Sequence, residues 1–150
     1  MEIHQILAPT DFSELSKQAV ARAYELAQTF GAKLVLLHVV ELPAYPVEVF
    51  LPSAEGTTLL DDLERQARLD LAQLLPHAQN AKVEIACQTV VGTPYLKILE
   101  VAAAEKVDLI VIATHGRTGL SHLVVGSVAE RVVRMAPCPV LTIRPTAATA

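Results

Sequence analysis

Residues 113–127, ATHGRTGLSHLVVGS, carry Gly116, Gly119 and Gly126 between an apolar run and a stretch with helical spacing. The segment closes on a hydroxyl, Ser127. Glycine has no Cβ, so backbone N–H groups beside it can approach an anion closely. A helix start adds partial positive charge and N–H donors without intrahelical partners. The Ser127 hydroxyl can donate to an oxygen and Arg117 can supply charge. Such a set suits the cradling of phosphate. The competing reading is an ordinary capped helix, because SVAE, residues 127–130, is also a capping box in which Ser127 caps and Glu130 reaches back. The segment is neither a Walker A loop nor GxGxxG.

Other polar residues carry weaker chemistry. Asp11 ends the first apolar run, where it can accept from a ribose hydroxyl or cap the first helix. His38 lies within a strand and reads as a core histidine with a satisfied ring. His115 sits in the glycine segment, suited equally to a ligand contact or to a loop hydrogen bond. His4, His77 and His122 have no partner at ligand spacing, so no histidine metal site is expected. Asp61, Asp62, Glu64 and Asp70 read as a solvated helix face. Cys87 and Cys138 fit no metal or CxxC spacing and read as buried thiols of a reducing cytoplasm. Serine-hydrolase and zinc motifs are missing.

The elements that must position these residues follow from periodicity. EIHQILAP (2–9) reads as a buried strand. Leu15, Ala19, Ala23, Leu26 and Phe30 then recur at helical spacing, with Ser13 as N-cap and Gly31 as the stop. AKLVLLHVV (32–40) is a second strand, apolar nearly throughout, as in a sheet covered on both faces. Residues 41–56 hold three prolines and form a long loop, suited to a lid or partner surface or to a plain insertion. A helix spans 57–75 with Leu60, Leu63, Ala67, Leu71 and Leu74 on one side. A third strand spans 81–91. Thr93 and Pro94 open a third helix, at the cap and first helical position. VDLIVIAT is a fourth strand, Ser127 to about Ala136 a fourth helix, and PVLTIR (139–144) a last strand.

This β-α-β-α-β-α-β-α-β order predicts a single doubly wound five-stranded parallel sheet with four helices, in the α/β class. Ligands of such sheets bind beyond the strands' carboxyl ends at the switch point. That rule selects the loops after the first, second and fourth strands. One domain over 1–145 and a flexible tail over 146–150 are expected. A chain of 150 residues can bury a full core without disulfides or metal. No apolar run approaches a membrane span, and the start lacks the pattern of a secretory leader, so a cytoplasmic protein without membrane insertion is expected. A net charge of −4 without blocks of like charge, together with the absence of Trp, argues against a nucleic-acid partner.

The chain resembles the universal stress protein family over nearly its whole length. Nucleotide-binding members of that family carry G-x2-G-x9-G-[ST] after the fourth strand. Gly116, Gly126 and Ser127 match with the nine-residue spacing kept, while Ala113 replaces the first glycine. PTDFS (9–13), LLHVV (36–40) and APCPVL (136–141) are also similar to the family. The resemblance implies a Rossmann-like or flavodoxin-like sheet, of the adenine nucleotide alpha hydrolase type, that binds ATP and serves a stress-response role. It further implies that Pro9, Thr10, Asp11 and Val39 border adenosine. Ala113, Thr114, His115, Gly116, Arg117, Thr118 and Gly119 would wrap ribose and phosphates. Gly126, Ser127, Val128 and Ala129 would hold the phosphates, with Mg2+ or Mn2+ bridging them. No catalytic residue is expected, and hydrolysis is expected to be slow or absent. It also implies a homodimer joined through the C-terminal strand, residues 139–145.

Three rivals are weighed against this. A response-regulator receiver needs an acid after the third strand, where CQTVVG has none. An ATP-consuming enzyme needs a base near the phosphates, and the segment supplies only His115, Ser121, His122 and Ser127. An adaptor whose nucleotide is incidental would use its helices or the 41–56 loop.

Overall fold

The computed structural model describes residues 2–42, 52, 56–75, 83–115 and 126–145. Along the chain it forms β1 (Gln5–Pro9), α1 (Glu14–Phe30), β2 (Lys33–Val40), α2 (Leu59–Gln73), β3 (Ile85–Val91), α3 (Pro94–Ala104), β4 (Leu109–Ala113), α4 (Ser127–Met135) and β5 (Val140–Ile143). The five strands make one sheet in the order β3-β2-β1-β4-β5, every pairing parallel. That is the order of the first five strands of the Rossmann arrangement. The chain leaves β1 toward β2 and β3, then returns to the other side for β4 and β5. The switch point therefore lies between β1 and β4.

The inner strands β1, β2 and β4 are buried on both faces, while β3 and β5 at the edges are only partly buried, and alternation sorts the side chains. Leu7, Val35, Leu37, Val39, Ile110 and Ile112 join a core with α3 and α4 through Ile98, Ala102, Ala129 and Val132. Ile6, Ala8, Leu34, Leu36 and Val111 join the opposite core with α1 and α2 through Val20, Ala23, Ala27 and Leu71. Each fully buried Leu, Ile or Val contributes about 1.5–3 kcal/mol.

The buried stripe of α1 is Ser16, Ala19, Val20, Ala23 and Ala27. Phe30, expected on the core side, is exposed. Small residues let this helix lie close to the sheet, so Leu15 and Leu26 sit at the flanks of the stripe and are half-buried. Ser13 accepts from the Ser16 N–H as N-cap, and Gly31 closes the helix at φ 64°, a left-handed turn suited to glycine. Pro94 occupies the start of α3 as expected, but Thr93 makes no side-chain cap bond.

The two cysteines are not both buried: Cys87 is exposed on the edge strand β3 and Cys138 half-buried. Partial desolvation still raises both thiols above their ordinary range, and the charge of Asp108 adds to the rise at Cys138. Most of the 41–56 loop, residues 116–125 and the 146–150 tail lie outside the described residues.

Candidate functional site

The carboxyl ends of β1, β2 and β4 open into a cleft of about 640 Å³. It sits at the switch point, where the diverging crossovers leave the strand ends uncovered. Three segments reach it from the sheet: Pro9 to Phe12, Leu37 to Glu41 and Ile112 to His115. Gly126 to Ala129 of α4, Pro94 and Ile98 of α3, Ser16 of α1, and Leu63, Gln66, Ala67 and Asp70 of α2 complete the lining.

The turn after β1 is held by its own hydrogen bonds. Phe12 N–H donates to Thr10 Oγ1 (3.0 Å), and the Thr10 and Ser16 hydroxyls share a bond of 2.9 Å. Ser16 Oγ donates to the Ser13 carbonyl (2.9 Å), so Thr10 is left as the donor to Ser16. Asp11 Oδ1 accepts from both the N–H and the hydroxyl of Ser13, at 3.0 and 2.6 Å. Asp11 thus braces the capping serine rather than capping α1 itself. Phe12 has φ 64°, a left-handed conformation that side-chain-bearing residues rarely adopt. Its ring lies 4.5 Å from that of His38. His38 Nδ1 lies 2.8 Å from the Thr10 carbonyl, which can only accept, so Nδ1 carries the proton. The histidine is satisfied as expected, and it is also a wall of the cleft.

The start of α4 is built differently. Gly126 is the N-cap and Ser127 the first helical residue, and no side chain caps the helix. The capping-box alternative is therefore not realised: Ser127 is exposed, and Glu130 pairs with Arg134 at 2.7 Å. The Gly126 N–H donates to the Thr114 carbonyl at 2.6 Å. The next three N–H groups, of Ser127, Val128 and Ala129, have no partner among the described residues. Gly126 has φ −58°, so its backbone does not require glycine. Close approach does: a Cβ there would stand 3.0 Å from the Thr114 carbonyl oxygen. On the opposing strand end, Thr114 Oγ1 lies 2.9 Å from His115 Nδ1, and His115 Nε2 is buried without a partner among the described residues.

Pro9, Thr10, Asp11, Val39, Ala113, Thr114, His115, Gly126, Ser127, Val128 and Ala129, scattered over the sequence, thus line one cleft. Gly116, Arg117, Thr118 and Gly119 lie outside the described residues. Sequence reasoning missed Phe12 and Ser16, the α3 residues Pro94 and Ile98, and the whole α2 wall. The stripe Leu63, Gln66, Ala67 and Asp70 has i, i+3, i+4, i+7 spacing and was readable as a helix face. Its overhang of the cleft follows from how α2 packs on β2 and β3, which spacing does not encode. The expected solvated face holds for Asp62 and Glu64, which pair with Arg65 and Arg68 at the surface. Asp70, whose hydrogen bond with Gln66 is also exposed, borders the cleft as well, and Asp61 has a further task in the cap of α2.

Acceptors and donors are unevenly placed in this cleft. Asp11, Glu41 and Asp70 bring carboxylates, and no Lys or Arg lines it among the described residues. The positive character comes from the start of α4. The described residues hold no group of three His, Cys, Asp or Glu suited to a metal ion, and no helix among them is long and apolar enough to cross a membrane.

Residues 2–144 match the model of the universal stress protein family. Universal stress protein MJ0531 of Methanocaldococcus jannaschii is 35% identical over 141 residues, covering 93% of this chain and 81% of that protein. A universal stress protein of Thermus aquaticus is 36% identical over 140 residues, covering 93% and 97%. The solved structure of MJ0577, another M. jannaschii universal stress protein, superposes with a TM-score of 0.82 at 27% identity, covering 99% of this chain and all of the other. Universal stress proteins solved in complex with cAMP (TM-score 0.66) and, from Archaeoglobus fulgidus, with dAMP (0.65) share the fold at 22% identity. With the family model spanning residues 2–144 and relatives of 35–36% identity covered over four fifths or more of their length, the chain belongs to the universal stress protein family.

Proposed function

We propose that this protein binds ATP in the cleft and acts as a nucleotide-dependent regulatory protein of a cytoplasmic stress response. The observation that carries the reading is the start of α4: three N–H donors without a partner among the described residues, and the exposed Ser127 hydroxyl, border a cleft otherwise walled largely by apolar side chains. The triphosphate lies there, with Arg117 and the Gly116–Gly119 segment completing its cradle. Pro9, Thr10, Asp11 and Val39 border adenosine. The complexes of distant family members with cAMP and dAMP, both adenine nucleotides, support the ligand class. Because the described residues lack a metal-binding group of their own, Mg2+ or Mn2+ enters with the phosphates.

Hydrolysis is slow or absent. Phosphoryl transfer depends on groups that place the attacking water and stabilise the departing charge. Among the described cleft residues no lysine or arginine is available for this. Calorimetry with ATP and Mg2+ tests the binding: a dissociation constant in the micromolar range is expected, and no heat at millimolar ATP overturns the reading. Turnover at about 1 s⁻¹ or faster would instead mark an enzyme.

Residues 1–145 act as one domain, and its unit is a homodimer. β5 is an edge strand, paired only to β4 among the described residues, and its Leu141 is 40% exposed. Such an edge invites pairing unless it is covered, and a two-fold pairing of residues 139–145 closes on itself. Sedimentation at tens of micromolar is expected to show a dimer, which Thr142→Pro shifts toward monomer by removing an N–H that points away from β4. A purely monomeric wild type overturns this assembly.

A further inference from the structure

The sheet has two edge strands, β5 and β3, and they offer unequal amounts of backbone. At β5 the Ile110 N–H donates to the Pro139 carbonyl and the Thr114 N–H to the Ile143 carbonyl, so within the strand only Val140 and Thr142 turn outward. At β3 the Leu34 N–H donates to the Glu84 carbonyl and the Gly92 N–H to the Val40 carbonyl, which sets the phase of that ladder. Ala86, Gln88 and Val90 bond inward to β2, while Ile85, Cys87, Thr89 and Val91 turn their N–H and C=O groups away from the sheet. These outward N–H groups have no partner among the described residues. The strand, IACQTVV, carries no charge and no proline. Either would blunt an edge, so this one is left competent to pair.

Beside β3 lies a second cavity of about 240 Å³, separate from the strand-end cleft. Leu71, Ala72 and Leu75 of α2 form one side of it, and Leu36, Ile85 and Cys87 of the sheet form the other. Cys87 is exposed, so the cavity opens where a further strand would lie. An engineered apolar cavity of about 150 Å³ holds benzene, so this volume accepts one aromatic or branched aliphatic side chain. We propose that β3 is the docking edge for an extended segment of a partner protein, which adds a strand to the sheet and seats one large apolar side chain in the cavity under α2. Main-chain bonds to Ile85, Cys87, Thr89 and Val91 give affinity to any extended chain, and the cavity selects among sequences. A charged side chain would find no counter-charge there. A second copy fits less well. With β5 already closing a two-fold dimer, two-fold pairing at β3 would continue the sheet from dimer to dimer without closing.

Amide hydrogen exchange on the full chain, read by nuclear magnetic resonance, tests the edge first. In the free protein the amides of Ile85, Cys87, Thr89 and Val91 are expected to exchange at least about tenfold faster than those of Ala86, Gln88 and Val90. Slow outward exchange at every protein concentration would mean that the chain covers its own edge. Slowing that grows with concentration would mean that a second copy covers it, and either result overturns the proposal. The probe is a blocked peptide of alternating threonine and valine with phenylalanine at its centre and lysine at each end. Its binding is expected to slow the outward amides by at least about tenfold. Glycine in place of the phenylalanine is expected to weaken binding by at least about tenfold, because a buried ring is lost. Two variants locate the contact. Thr89→Pro deletes an outward N–H and leaves the bonds to β2 in place. Ala72→Phe, at an exposed position of α2, fills the cavity from its rim. Each is expected to lower peptide affinity by about tenfold with far-ultraviolet circular dichroism unchanged. No binding at millimolar peptide, or wild-type affinity in either variant, overturns the proposal.

Discussion

Two helices begin at the same edge of the same sheet, α1 after β1 and α4 after β4, and both border the cleft. Their starts are opposite in kind. α1 is capped by Ser13, with Asp11 bracing the cap and Glu14 in the first turn. Its donors and its partial positive charge are spent on the chain's own oxygens. α4 begins at Gly126 with no side-chain cap and three N–H groups unpaired among the described residues. α2, which also starts at this edge, carries a full capping box of Thr58 and Asp61, and α3 gives up one donor to Pro94. An anion is therefore best received at α4. Helix N-termini are common; what distinguishes this one is that the described residues do not satisfy it.

The contrast breaks most sharply if α4 is given its own anion. Ser127→Asp puts a carboxylate where the phosphates are proposed to sit. Calorimetry is expected to show ATP affinity reduced by more than about a hundredfold, roughly 2.7 kcal/mol. The same substitution suits the helix dipole, so thermal or denaturant unfolding should show stability unchanged or raised by about 0.3–1 kcal/mol. Binding and stability moving in opposite directions would separate an anion seat from a plain helix start. Affinity equal to wild type would mean that the phosphates do not lie there.

The converse change, Ser13→Ala, removes the cap of α1. Denaturant unfolding is expected to show a loss of about 1 kcal/mol. Inorganic phosphate is expected to gain no measurable affinity, since Asp11 and Glu14 remain beside the freed donors. Tight phosphate binding by this variant would show that capping, and not local charge, decides which helix receives the anion.

The smallest effect concerns α2. Asp61 accepts from the Thr58 hydroxyl and the Thr58 N–H, at 2.7 and 2.9 Å, and these bonds hold its carboxyl below the ordinary 3.8. A lowered folded-state pKa means stability that is present above the unfolded pKa and lost as pH falls through the folded one. The stability difference between wild type and Asp61→Asn should be full at pH 7 and shrink as the pH drops below about 4. Urea midpoints at a series of pH values would read it, and a difference that grows in acid would contradict the cap.

Much of the cleft's chemistry was legible before the fold. Glycines followed by a hydroxyl at a helix start after the fourth strand pointed to phosphate, and the three loops that the switch-point rule chose all line the cleft. What spacing left open was the role of Ser127, because SVAE satisfies the capping-box pattern whether or not the box forms. The choice depends on where the chain enters α4, and that entry is set by the Gly126 N–H docking on the Thr114 carbonyl. Likewise Gly126 was read as room for an anion, whereas its first neighbour is the backbone of the adjacent strand end.

The sequence by itself determined the alternation of elements, the buried character of the strands, the caps at Ser13 and Gly31 and the family motif. Each of these is a local property, carried by residue type and by a spacing of a few positions. Tertiary structure alone decided that α2 overhangs the cleft, that Gly126 docks on the Thr114 carbonyl, and that Asp11 serves Ser13. Those outcomes depend on which helix crosses which strand end and at what height. They come from packing two helical layers on a twisted sheet, a property of the whole chain that no short stretch contains.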